Sequence, residues 1–179
     1  AQHPKSGKSI SVAKASAGCK DTILLAPQDG KNWSRQDVAD LIARYVESKD
    51  RALIGVDCNF GYAFEVGKTQ FGPSYDVMDL WRAVEQTSSK LDDFYAGGFW
   101  THDDYKKAFW TSGKQNGFAL PRRQTEKACG EQGFGYPESP FKMIGPKQVG
   151  KGGLAGMRMA LYLKKKYGDA LAVWPFEKD

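Results

Sequence analysis

Residues 52–56 read Ala-Leu-Ile-Gly-Val, without a polar side chain, and Asp57 follows at once. An apolar run of that length, with no alternation, is the mark of a strand covered on both faces. Strands of that kind belong to parallel or mixed sheets with helices packed on either side. In open α/β sheets the ligand lies beyond the carboxyl ends of the strands. The run therefore predicts a buried strand that delivers Asp57 to a ligand-facing edge.

The flanking sequence extends this frame. Ser9–Ala15 and Asp21–Ala26 read as two short strands joined by a turn at Ala17-Gly18, a β-hairpin. Ser34 is a good N-cap with Asp37 at the third helical position, and Val38, Leu41, Ile42, Tyr45 and Val46 recur at helical spacing. Further along, Ser74 is placed to cap a helix through Val77, Leu80, Trp81 and Val84, and Thr101 one through Tyr105, Ala108 and Phe109. Phe141–Ile144 is a short strand candidate. Gly150–Gly153 opens a strong helix with Leu154, Met157, Leu161 and Tyr162 on one stripe, ending near Gly168. Ala170–Phe176 reads as a last buried strand. The order strand, strand, helix, strand predicts an α/β fold, with helices on both faces of a mixed sheet. Residues 1–179 are expected to form a single domain, in which the aromatic-rich stretch 60–140 is an insertion or lid.

Bulk properties limit the chemistry. The chain has 179 residues, enough to bury a core without disulfide or metal staples. Its three cysteines, Cys19, Cys58 and Cys129, include no CxxC pair, so neither a disulfide framework nor a zinc knuckle is expected, and reduced thiols in a cytoplasm fit. No apolar run approaches a membrane span, and no signal peptide opens the chain. The net charge of +5 permits a nucleic-acid or phosphate-bearing partner without requiring one. With only His3 and His102, a Ser–His–Asp triad or a histidine-rich metal site is not expected.

Four constellations carry candidate chemistry. Asp57 is either a metal ligand or general base, or an aspartate that caps the loop after its strand. Arg122 and Glu126 stand at i, i+4, with Arg123 beside them: on a helix this is either a surface ion pair or a guanidinium aimed at phosphate. The stretch Gly145-Pro-Lys147-Gln148-Val-Gly150-Lys151-Gly-Gly153 runs into a helix. It is either an anion cradle of backbone N–H groups with Lys147 and Lys151 adding charge, or a loop that packs tightly. It lacks the spacing of a P-loop. Glu177, after the last strand, either joins Asp57 at adjacent strand ends to hold a magnesium ion or is a solvated chain end.

The segments WSRQDVADLI, ALIGVDCNFGYAF, RRQTE, FKMIGPKQVGKGGLAGMRMALYL and AVWPFE together resemble a bacterial family of ribonuclease H-like fold, described as predicted nucleases. The resemblance spans most of Ser9–Glu177. It implies that Asp57 is the strand-end acid, that Arg123 and Glu126 form the R-x-T-E pair, and that Gln148, Gly150 and Gly153 belong to the loop. Cys58 stands where the family often has an aromatic. The family pattern also implies a strand ahead of Ser9 and a helix beyond Asp179, so either the chain is a fragment or the sheet's first strand comes from elsewhere.

Together these readings predict a nuclease or phosphodiesterase-like hydrolase dependent on magnesium or manganese. Asp57, Glu126 and Glu177 would be its catalytic acids, with Asp57 and Glu126 on the metal. Arg122, Arg123, Lys147, Gln148, Gly150 and Lys151 would hold phosphate. The alternatives are a non-catalytic module for nucleic acid or anions, and a protein-interaction domain docking through its aromatics.

Overall fold

Ser34 starts the first helix as its sequence predicts. Its hydroxyl accepts the N–H of Asp37 at 3.0 Å, and the Asp37 carboxylate accepts the N–H of Ser34 at 2.8 Å. This reciprocal capping box satisfies two otherwise orphaned donors, and the hydrogen bonds from Ser34 hold the Asp37 carboxyl below its usual range. The computed structural model describes residues 10–27, 32–112, 120–135, 137–145 and 149–177, and the chain falls into two compact units, 1–54 and 55–179.

In the first unit, β1 (Val12–Lys14) pairs antiparallel with β2 (Ile23–Leu25), with Val12 opposite Leu25 and Lys14 opposite Ile23. The predicted hairpin is present, with shorter strands. The helix that follows, α1 (Arg35–Glu47), buries Ala39, Ile42 and Ala43. Trp33 ties the helix entry to the hairpin by donating its indole N–H to the Leu25 carbonyl at 3.1 Å.

The second unit is helical. It holds α2 (Phe64–Phe71), α3 (Val77–Ser88), α4 (Gly97–Thr101), α5 (Gln124–Glu131) and α6 (Gly150–Tyr167). Helix α3 packs on both α4 and α6. Its N-cap is Asp76, whose carboxylate accepts the N–H groups of Met78 and Asp79, rather than Ser74. Thr101 closes α4 instead of opening a helix, and its hydroxyl donates back to the Gly97 carbonyl. The core is aromatic: Tyr62 stacks on Phe141 with centroids 4.3 Å apart, and Phe99 stacks on Tyr105 at 4.4 Å. Phe71 stands between these pairs, 6.1 Å from Phe99 and 6.4 Å from Phe141. Each such ring contributes roughly 1.5–3 kcal/mol on burial. The stretch 60–140, expected as an insertion or lid, thus supplies most of this core. Arg158 of α6 is also buried and faces Glu85 of α3.

The predicted mixed sheet is not what the chain builds. Among the described residues the strands are confined to the two-stranded hairpin, with one isolated parallel bridge between Trp110 and Lys142, and six α-helices dominate. The ribonuclease H-like α/β architecture is therefore replaced by a helix-rich one. Residues 52–56, predicted as a buried strand, form none: 52–55 are exposed, Leu53 fully so at 102%, and Val56 is half-buried. An apolar run specifies side chains that prefer burial, but a strand also needs a neighbour for its backbone, and no described segment supplies that ladder. Phe141–Ile144 contributes a single bridging residue for the same reason.

The predicted strand at Ala170–Phe176 is a compact turn. Its backbone is satisfied locally: Phe176 and Glu177 donate to the Val173 carbonyl, and Val173 donates to the Glu177 carboxylate. Phe176 still packs, edge-on to Trp81 at 5.8 Å.

Candidate functional site

Helix α6 is the scaffold against which the candidate residues are placed. Its opening glycines lie inside the helix rather than in a loop before it. Gly150 and Gly153 are buried. A Cβ on Gly153 would stand 2.8 Å from the Asn59 carbonyl oxygen, and one on Gly156 would collide with the Cys58 sulfur. The missing side chains thus let the 58–60 segment lie directly on the helix. Lys147 and Gln148 lie outside the described residues. Lys151 is half-buried, with its ammonium 5.8 Å from the Trp100 ring centroid.

The close approach sets the surroundings of Asp57. Its neighbour Cys58 is pressed onto α6, and burial, reinforced by the Asp57 charge, pushes the thiol up to about 12. Trp81 donates its indole N–H to the Phe60 carbonyl at 2.6 Å and fixes the chain two residues further on. Asp57 itself is exposed. It does not terminate a strand.

Glu126 is buried at the third position of α5, and its carboxylate is already engaged. One oxygen accepts the Arg123 N–H at 2.7 Å, and the other accepts the Arg123 guanidinium at 2.7–2.8 Å. The partner is thus Arg123, at i, i+3, and not Arg122, because α5 begins only at Gln124, with Arg123 as its N-cap and Arg122 outside the helix. Glu177 is engaged as well. One oxygen takes the Val173 N–H and the other pairs with Lys164 at 2.8 Å. The hydrogen bond from Lys164 is the main reason its carboxyl lies below the usual range.

This donor set does not suit a magnesium or manganese ion. A hard cation needs several oxygens free to converge, yet Glu126 and Glu177 have both oxygens on internal donors. Among the described residues no three His, Cys, Asp or Glu side chains form a metal-holding group.

The cations at and ahead of α5 are differently placed. Arg122 is exposed and held through Nε, which donates to the Pro137 carbonyl at 3.2 Å. Its two Nη groups have no partner among the described residues. Lys127 is exposed, one turn from Arg123, and makes no ion pair among the described residues. Just past the helix stands Phe134, 80% exposed, which the sequence reading did not single out. Its signal in the sequence is the glycine on either side of it, Gly133-Phe134-Gly135.

No family model, curated protein or solved structure matches the chain. No helix among the described residues is long and apolar enough to cross a membrane.

Proposed function

We propose that the chain is a non-catalytic module that binds a nucleic acid through the exposed cations Arg122, just ahead of α5, and Lys127, on it. The observation that carries this reading is a contrast between two kinds of charge. The candidate acids Glu126 and Glu177 are committed to internal donors, whereas Arg122 and Lys127 are exposed, with the Arg122 guanidinium held in place by one nitrogen. An oriented guanidinium with free Nη groups suits a phosphate. The chain's net charge of +5 favours a polyanionic partner. Asp57, exposed and outside any metal-holding group, has no part in this reading.

The test is equilibrium binding of a labelled single-stranded oligonucleotide across a salt series, with and without a chelator. Binding is expected to weaken as salt rises, to survive chelation and to survive Asp57→Asn. The double variant Arg122→Ala/Lys127→Ala removes two phosphate contacts, which flattens the salt slope by about 1.4 on a single strand. Absence of binding, or its loss on chelation or in Asp57→Asn, overturns the reading.

A further inference from the structure

Helix α5 ends in a fully formed Schellman motif. Gly133 takes a left-handed conformation with φ +80. Its N–H donates to the Gly130 carbonyl at 3.2 Å, and the N–H of Phe134 reaches the Cys129 carbonyl at 2.9 Å. In this motif the residue after the left-handed glycine commonly packs back onto the last helical turn, so that its side chain is covered. Here that residue is Phe134, and its side chain is not covered: it is 80% exposed. The backbone beneath the ring is pinned by a hydrogen bond while the ring is left to solvent. On either side stand glycines, and a Cβ built on Gly133 or Gly135 would meet nothing within 4 Å. Among the described residues nothing crowds the backbone on either side of the ring.

Two cations share this end of the unit. Arg122 is anchored to the Pro137 carbonyl, three residues past Phe134. Three residues of chain span at most about 11 Å, so the guanidinium anchor and the ring belong to one short stretch of surface. Lys127 lies on the helix that the motif terminates. An exposed aromatic beside cations matches a strand that offers alternating bases and phosphates. A purely apolar partner would leave both cations unanswered.

We propose that Phe134 is a stacking platform for an unpaired base of a single-stranded nucleic acid, whose adjoining phosphate is taken by Arg122. This deepens the function proposed above and rests on it. Stacking reads the π-face of a base and not its hydrogen-bonding edge, so sequence preference is weak and preference for unpaired bases is strong.

Four ligand and variant comparisons test it, by equilibrium binding of a labelled single strand, the matching duplex and an abasic strand with the same number of phosphates. Phe134→Ala is expected to weaken single-strand binding about 5- to 150-fold. The same variant leaves duplex and abasic binding unchanged. Phe134→Trp retains single-strand affinity. If wild type binds none of the three, the nucleic-acid reading itself fails. If wild type binds but Phe134→Ala binds the single strand equally well, or loses the abasic strand to the same degree, the stacking role is overturned and the nucleic-acid reading stands. Self-association of the wild type that Phe134→Ala abolishes, with strand binding intact, assigns the ring to a protein contact and likewise overturns it.

Discussion

Arg158 of α6 donates through Nε to Glu85 of α3 at 2.6 Å, and its Nη1 donates to the carbonyls of Leu91 and Tyr95. One guanidinium thus joins two helices and the chain that follows α3. Its side chain is 5% exposed against 31% for Glu85, so the two ends of the pair are not equivalent. Glu85→Ala strands a buried cation with carbonyl acceptors alone and is expected to cost about 3–5 kcal/mol. Glu85→Gln keeps an oxygen acceptor for Nε and costs less. Chemical denaturation of the two variants checks the order, and a loss below about 1 kcal/mol in Glu85→Ala refutes it.

The glycines of α6 make a prediction whose sign differs over one residue. Alanine is the better helix former by about 1 kcal/mol. At Gly152, which is exposed with nothing within 4 Å of an added Cβ, the substitution to alanine is expected to be stabilising by up to that amount. At Gly153 the new methyl meets the Asn59 carbonyl, and overpacking of this kind costs about 1–3 kcal/mol. The measurement is the denaturant midpoint of each variant at unchanged slope. Equal shifts in the same direction would show that the 58–60 segment does not rest on the helix.

Glu177 predicts a limb of acid sensitivity. Its folded carboxyl lies below the usual value because Lys164 and the Val173 N–H favour the ionised form. A depressed folded pKa adds stability that is present above the unfolded value and is lost as pH falls through the folded one. The loss should therefore begin as pH falls through the ordinary carboxylate range, near pH 4, continue below it, and leave neutral pH untouched. Glu177→Gln is expected to be less stable than wild type at neutral pH and to converge with it in acid. Parallel stability–pH curves for the two proteins would sink the assignment.

The features legible in the sequence are the local ones. The capping box of Ser34 and Asp37 needs two residues three apart, and the stripe of α6 needs only its own spacing, with Gly168 as its C-cap at φ +52. The mixed sheet could not be read in the same way, because a strand depends on a partner that its own residues do not specify. Residues 52–56 and 170–176 have the side chains of buried strands without the neighbours. The candidate site divides similarly. Charge pairing near Glu126 was visible from spacing, one residue out of register. The Lys164–Glu177 pair, by contrast, depends on how the chain turns after α6. Phe134 escaped notice because exposure of a ring is a property of the folded turn.

The glycines of α6 also bear on the order of folding. Four of its first seven residues are glycine, which makes that half a poor helix in isolation. The half from Met157 to Lys164 has no glycine and holds Met157, Ala160 and Leu161 of the core. Nucleation, the costly step of helix formation, therefore falls to the second half. The first half is expected to wind up only when the 58–60 segment and the Pro140–Lys142 turn cover it, so that amide exchange in native protein should be faster at 151–156 than at 157–164.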